Sequence, residues 1–188
     1  MSLSAADFEA LLDSAERSAV HLETRDVYSS GEESADFQLW QRTGEAATDP
    51  EAEHWAEWTG LVRRTVARGV RIRRARIVSE PVTDYIRYEH LTTSVNLAIG
   101  EEVRWLPRRK ASDILLPGND FWLMDGQVVL WNHFTGNGGP AGHEITDDPH
   151  TAGLCAAAFE AVWRRGVAHE KFDLSPPPVR RSRTAHHV

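Results

Sequence analysis

A strand, a helix and a second strand follow one another over residues 70–108, with no hairpin turn between the two strands. The pattern predicts the first strand over VRIRRARIVS, the helix over PVTDYIRYEHLTTSVNLAI and the second strand over EEVRWLPR. A unit of this kind joins two parallel strands by a right-handed crossover. The segment therefore predicts an α/β fold with a mixed sheet, and an α+β arrangement is the alternative.

The rest of the chain adds a β-hairpin and flanking helices to this unit. Asp125-Gly126 lies between the apolar runs of FWLMDGQVVLWNHF and is a strong hairpin-turn signal. Alternating apolar and polar residues over 18–25 predict an earlier strand with one solvent-exposed face. Capping residues and apolar spacing predict further helices, starting at Ser4, at Pro50 and near Asp148.

The chain is predicted to form one domain. We find no internal repeat and no linker, so residues 1–172 are assigned to a single globular domain. Residues 173–188 are rich in Pro and Arg, bury little apolar area and are predicted to be a disordered tail. The formal net charge is -7, and the last fourteen residues carry three arginines and no acid, so the remainder is at -10. This acidic balance disfavours direct nucleic-acid binding.

Several classes of protein are disfavoured by the sequence. No run of 18 apolar residues is present, so no membrane span is predicted. The first residues have neither a basic start nor an apolar core, which disfavours a signal peptide. A single cysteine, Cys155, rules out an internal disulfide and favours a cytoplasmic setting.

The most unusual feature is the charge carried by residues 73–90. Arg74 and Arg76 point to one face of a predicted strand, which is costly unless both arginines are paired. Nearby acids, Glu80, Asp84 and Glu89, are candidates for that pairing. One hypothesis is an internal ion-pair network, and the other is a pocket for an anionic group at the carboxyl end of the strand. The predicted ligand- or partner-binding residues are Arg74, Arg76, Glu80, Asp84, Arg87 and Glu89.

No other motif predicts chemistry. His143-Glu144 begins like a zinc-binding H-E-x-x-H helix, but Asp147 occupies the position of the second histidine. The glycines of GNGGPAG are not followed by a predicted helix, so a phosphate-binding loop is not indicated. We therefore predict no metal, no cofactor and no catalytic residue. The seven tryptophans are assigned mainly to the core, with Trp40 and Trp105 as candidates for the surface.

Five segments carry a resemblance to a known family: LETRDVY, RARIVSEPVTDYIRYE, EEVRWLPR, LPGNDFWLMDG and DPHTAGLCAAAFEAVWRRGVAH. Together they resemble an actinobacterial, Streptomyces-type family of domains of unknown function, with the pattern S-E-P-x-T-D-Y-[IL]-R at residues 79–87. The resemblance spans roughly residues 5–172. It implies a regulatory role, because such genes often lie beside helix-turn-helix regulators and small partner proteins that resemble toxin–antitoxin systems.

The layout is also distantly similar to one half of a phospholipase D-like domain. That superfamily requires H-x-K-x-x-x-x-D, and although His169 and Lys171 fit, Pro176 occupies the position of the aspartate. The similarity therefore implies a non-catalytic relative.

Two functional hypotheses follow from these observations. The first is a cytoplasmic, non-enzymatic regulatory protein that binds a helix-turn-helix regulator, a toxin–antitoxin-like partner or a small anion. The second is an enzyme or binding protein for a phosphoester or carboxylate, with Glu89, Asp84 or His90 as acid or base. Direct DNA contact through the arginine run and the C-terminal tail is a weaker third hypothesis.

Overall fold

The computed structural model describes residues 3–29 and 31–174, and for residues 31–34 it describes the backbone alone. The predicted tail, apart from Asp173 and Leu174, lies outside the described residues. Within them, no helix combines the length and the apolar character that crossing a membrane requires.

The centre of the fold is one mixed sheet. Its strands within the described residues are β1 (Ser18–Glu23), β2 (Arg71–Val78), β3 (Glu102–Pro107), β4 (Asp120–Met124), β5 (Val128–Phe134), β6 (Pro140–Thr146) and β7 (Val167–Ala168). They lie in the order β6-β5-β4-β1-β2-β3-β7. β1, β2 and β3 are parallel neighbours, and the other strand pairs are antiparallel. The predicted α/β class, parallel crossover and β4–β5 hairpin are confirmed.

Helices cover both faces of this sheet. They are α1 (Ala5–Ser14), α2 (Gly31–Thr43), α3 (Ala56–Ala67), α4 (Asp84–Ala98) and α5 (Pro149–Arg165). α5 packs its apolar side on Leu22, Ala75 and Ile77, whereas α1 and α3 pack on Ala19 and Ile72 of the opposite face. On that second face α4 packs around Val78 and Trp105.

Two local predictions were wrong. β1 was expected to have one exposed face, but Ala19–Glu23 are all buried because helices lie on both sides of the sheet. The helix expected to begin at Pro50 begins at Ala56, after a single 3-10 turn over Glu53–Trp55.

The turn of the β4–β5 hairpin also anchors the start of β1. Asp125 and Gly126 both have positive φ, 52° and 73°, as the turn signal predicts. The Asp125 carboxylate then accepts hydrogen bonds from the backbone N–H groups of Glu16, Arg17 and Ser18, at 2.9, 2.8 and 2.8 Å. One side chain therefore connects the α1–β1 loop to the hairpin.

We expect Asp125→Asn to lower the free energy of unfolding by about 1.5 kcal/mol, because one amide oxygen replaces a carboxylate that accepts three hydrogen bonds. Asparagine tolerates positive φ, so the loss reports the hydrogen bonds and not turn strain. Urea unfolding measures it, with Asp113→Asn, in an exposed pair with Arg165, as the matched control. Equal stability of the two variants would contradict the anchoring role.

Candidate functional site

Five charged side chains, four of them buried and the fifth largely buried, meet on the sheet face that α1, α3 and α4 cover. The parallel register places Glu23 of β1 beside Arg76 of β2, and Glu89 of α4 and Glu101 before β3 lie against the same two strands. We call Glu23, Arg74, Arg76, Glu89 and Glu101 the charged cluster. It contains two guanidinium groups and three carboxylates, and therefore a formal charge of -1.

Each arginine of the charged cluster lies between two carboxylates. Arg74 Nη1 is 2.9 Å from Glu23 Oε1, and Arg74 Nε is 2.7 Å from Glu101 Oε1. Arg76 Nε is 2.8 Å from Glu23 Oε2, and Arg76 Nη2 pairs with Glu89. The Arg76 Nε–H does not point at the Glu23 oxygen, so that contact is an ion pair without a directed hydrogen bond.

Burial and ion pairing fix the protonation states around Glu23. Burial raises the pKa of Glu23, but Arg76 and Arg74 outweigh this and lower it to about 2. Burial lowers the pKa of the neighbouring His21 to about 3, with partial opposition from Glu23. At neutral pH Glu23 is therefore an anion, and His21 is uncharged.

One side of the charged cluster opens into a cleft with aromatic walls. This cleft has a volume of about 330 Å³, and we call it the Trp58 cleft. Its lining residues are Phe8, Trp55, Trp58, Arg74, Arg76, Glu89, Thr92, Thr93, Asn96 and Trp122. The Arg74 guanidinium carbon lies 5.8 Å from the Trp58 ring centroid and 5.9 Å from that of Trp122. The cleft thus combines aromatic walls with a buried, charged floor.

A second cleft, of about 260 Å³, shares Arg74, Arg76 and Glu89 with the first. We call it the Tyr28 cleft, and it lies by the carboxyl end of β1, where α/β proteins bind ligands. Its remaining lining residues are His21, Glu23, Tyr28, Ser29, Asp120, Asn132, Phe134, Gly138 and Pro140.

Asp120 and Tyr28 form a hydrogen-bonded group in the Tyr28 cleft. The Tyr28 hydroxyl donates to one Asp120 oxygen, and Thr24 donates its N–H and its hydroxyl to the other, at 2.9 and 2.6 Å. Burial raises the pKa of Asp120 above its usual value in spite of these hydrogen bonds.

The structure brings three of the six predicted site residues together: Arg74, Arg76 and Glu89. The other two acids were expected to pair with these arginines, and that expectation was wrong. Glu80 Oε2 lies 2.7 Å from Arg109 Nε, and Asp84 lies 3.9 Å from Arg87 at the surface. The reason is geometric, because residues 80–84 lie past the end of β2 whereas Glu89 is more than a turn into α4.

Sequence reasoning missed Glu23, Glu101, Trp58, Trp122 and Asp120. Glu23 alternates with apolar residues on β1, so the pattern assigned it to a solvated face. Trp105 was expected at the surface, but it is fully buried, and the guanidinium carbon of Arg76 lies 5.4 Å from its ring centroid. Only the packing of distant elements reveals these roles.

Ser79 and Thr83 of the motif at residues 79–87 have a structural role. Asp26 accepts hydrogen bonds from the N–H and the hydroxyl of Ser79, at 2.7 and 2.5 Å. The Thr83 hydroxyl donates to the Asp26 carbonyl, and Arg108 Nε donates to the Ser79 hydroxyl. These bonds hold together the chain segments that follow β1, β2 and β3.

Comparison with known protein families gives a match over most of the chain. A family model described as a domain of unknown function, DUF6879, matches residues 6–173. No curated protein matches the chain. The matched range contains the charged cluster and every residue that lines the two clefts.

Proposed function

This chain belongs to the DUF6879 family of domains of unknown function. We propose that it is a cytoplasmic, non-enzymatic interaction protein, and that its Trp58 cleft holds a group presented by a regulatory partner. The observation that carries the proposal is the composition of this cleft. The buried Trp122 and the partly buried Trp55 and Trp58 surround a floor of largely buried polar groups, which is the arrangement of binding hot spots and of small-ligand sites.

The protonation states support binding over proton transfer. A general base or acid works best when its pKa lies near the operating pH. The pKa values of Glu23 and His21, about 2 and about 3, lie far below neutrality. These two groups are suited to holding a fixed charge distribution.

Charge complementarity supports a basic partner. The chain carries a formal net charge of -7, and DNA-binding proteins carry basic surfaces. We therefore keep the helix-turn-helix regulator that the sequence resemblance implied as the proposed partner.

The arginine run does not offer a free basic surface of its own. All seven arginines between Arg63 and Arg76 form ion pairs with carboxylates of the chain. This pairing supports recognition of a protein over direct contact with DNA.

We expect Trp58→Ala to abolish capture of the partner. Tagged wild type, Trp58→Ala and Trp40→Ala would be used to recover proteins from a lysate of the encoding organism, with identification by mass spectrometry. Trp40 is the matched control because it is a partly buried tryptophan outside both clefts. Wild type and Trp40→Ala should recover a helix-turn-helix regulator, and binding of the purified regulator by Trp58→Ala should be at least about tenfold weaker.

The same proteins with all three baits, or no regulator with any, would overturn the proposal. Circular dichroism of Trp58→Ala establishes that the variant is folded before the comparison is made. The affinity of the purified pair should also fall as salt rises, because attraction between oppositely charged surfaces is screened.

A second candidate function is acid–base catalysis on an anionic substrate in the Tyr28 cleft. The specific observation in its favour is the raised pKa of Asp120, since perturbed carboxyl groups in clefts mark functional sites. Of the acids and bases expected earlier, Glu89 lines the cleft, whereas Asp84 and His90 are not among its lining residues. Hydrolysis of p-nitrophenyl phosphate or bis(p-nitrophenyl) phosphate that Asp120→Asn abolishes would support this candidate, and no turnover by wild type would remove these two phosphoester classes.

A further inference from the structure

A stripe of buried polar side chains runs along one face of α4. It consists of Glu89, Thr92, Thr93 and Asn96. The spacing of three and four residues places them on one side of the helix, and none is more than 7% exposed. All four line the Trp58 cleft. Because a helix ordinarily turns an apolar face toward the sheet it covers, a buried polar stripe of this kind is expected at a functional site.

The Asn96 amide differs from the rest of the stripe in its hydrogen bonding. The hydroxyls of Thr92 and Thr93 donate to backbone carbonyls of α4, at 3.2 and 2.6 Å. The Glu89 carboxylate pairs with Arg76. The side-chain amide of Asn96, in contrast, has no hydrogen-bond partner among the residues that the structure describes. A buried amide without a partner is costly, and a ligand in the cleft that bonds to it would remove that cost.

Trp122 of β4 adds a second buried donor to the same cleft. It is 5% exposed and lines the cleft, and within the described part of the chain its indole N–H has no hydrogen-bond partner. Buried tryptophans usually donate this N–H, as Trp55 does to the Ala47 carbonyl at 2.8 Å. The cleft therefore offers N–H donors from Trp122 and Asn96, and the Asn96 carbonyl oxygen as an acceptor.

The charged residues of the lining do not favour a charged ligand. They are Arg74, Arg76 and Glu89. Arg74 already lies between Glu23 and Glu101, and Arg76 between Glu23 and Glu89. A charged group that left water for this cleft would find all three of these residues engaged in ion pairs of the chain, so its own charge would lack a free counter-ion there.

From these observations we infer that the Trp58 cleft binds a planar, uncharged amide. The ligand's carbonyl accepts hydrogen bonds from Trp122 and Asn96, and its N–H donates to Asn96 Oδ1. The aromatic lining suits a flat group, and a volume of about 330 Å³ accommodates one.

The inference rests on the proposed function and specifies the group that the partner presents. The same chemistry can come from a glutamine side chain displayed on a polypeptide or from a free aromatic amide. The experiment separates these two sources.

The test uses the indole N–H signals of the seven tryptophans in a ¹H–¹⁵N NMR spectrum of the full chain. Benzamide is titrated in, and benzoate, benzamidinium and acetophenone serve as controls of nearly the same shape. We expect benzamide to shift the signals of Trp58 and Trp122 and to bind at least about tenfold more tightly than each control. Acetophenone is the sharpest control, because it keeps the ring and the carbonyl and lacks only the N–H donors.

Two variants locate the effect. Asn96→Leu keeps the size of the side chain and removes its amide, so it should weaken benzamide binding at least about tenfold and bring benzamide and acetophenone to similar affinities. Urea unfolding should show no loss of stability in this variant, because the amide it removes has no partner in the described part of the chain. Asn132→Leu is the matched control, since Asn132 lines the Tyr28 cleft and not the Trp58 cleft, and it should bind benzamide as wild type does. The comparison of benzamide with acetophenone on wild type keeps the test decisive if Asn96→Leu fails to fold.

A second pair of compounds identifies the source of the amide. N-acetyl-glutamine N-methylamide is titrated in, with its glutamate counterpart as the charged control. Tighter binding of the glutamine compound than of benzamide indicates a polypeptide source, and the reverse order indicates a free aromatic amide; both orders support an amide site.

Equal affinity of wild type for benzamide and acetophenone, or tighter binding of benzoate or benzamidinium than of benzamide, would overturn the inference. Unchanged benzamide affinity in a folded Asn96→Leu variant would do the same. This failure is distinguishable from failure of the proposed function. Loss of the captured regulator in Trp58→Ala without benzamide binding to wild type would refute the ligand class alone. Benzamide binding without capture of a regulator would refute the regulatory partner and leave the amide site standing.

Discussion

Replacing Arg76 with alanine is expected to lower the free energy of unfolding by about 3–5 kcal/mol. Arg76 lies between Glu23 and Glu89, and the exposed fractions of the three side chains are 7%, 9% and 7%. Removing the guanidinium leaves two buried carboxylates without their shared counter-ion, which costs more than a lost surface contact. Because domains are stable by only about 5–15 kcal/mol, the variant will be partly unfolded near physiological temperature. Urea unfolding measures the loss.

The matched control is Arg71→Ala on the same strand. Arg71 pairs with Glu102, but their side chains are 57% and 45% exposed, so the expected loss is below about 1 kcal/mol. Adding Glu89→Gln to Arg76→Ala should recover part of the stability, because it removes one of the two buried carboxylate charges that Arg76 offsets. A loss below 1 kcal/mol for Arg76→Ala, or no recovery in the double variant, would show that the charged cluster does not stabilise the fold.

Acidification is expected to destabilise the protein from about pH 6.5 downwards, through His21 first. Burial lowers the pKa of His21 from 6.5 to about 3 in the folded state, so the unfolded chain binds the proton at a higher pH. The stabilisation is fully present above pH 6.5 and falls by about 1.4 kcal/mol per pH unit as the pH decreases toward 3. Burial lowers the pKa of His169 to about 4, which acts in the same direction. Glu23 adds to the loss below pH 4.5, since its pKa in the folded protein is about 2.

His21→Phe isolates the His21 contribution. The His21 ring stacks on Trp122 with a centroid distance of 4.3 Å, and phenylalanine keeps that contact without a titrating group. Urea unfolding at several pH values between 6.5 and 4 measures how steeply the free energy of unfolding falls as the pH decreases. This slope should be smaller for His21→Phe than for wild type, by the contribution of about one bound proton. Identical slopes for wild type and His21→Phe would contradict a neutral, buried His21.

The sequence alone determined the features that depend on neighbours along the chain. The period of apolar residues located β2, α4 and β3, and the lack of a turn between the strands fixed their parallel pairing. Asp125-Gly126 fixed the hairpin, and capping signals located the starts of α1 and α5 at Ser4 and Asp148. These signals act over a few residues, so a single sequence was sufficient to reach the α/β class.

Only the tertiary structure decided what the charges on β2 are for. Alternation shows that Arg74 and Arg76 share a face, but it does not show that Glu23 lies beside them, since that contact joins residues about fifty positions apart. For the same reason the sequence assigned Glu23 to water and Trp105 to the surface. The cost of burying a charge is set by everything packed around it, and that environment exists only when distant strands and helices come together.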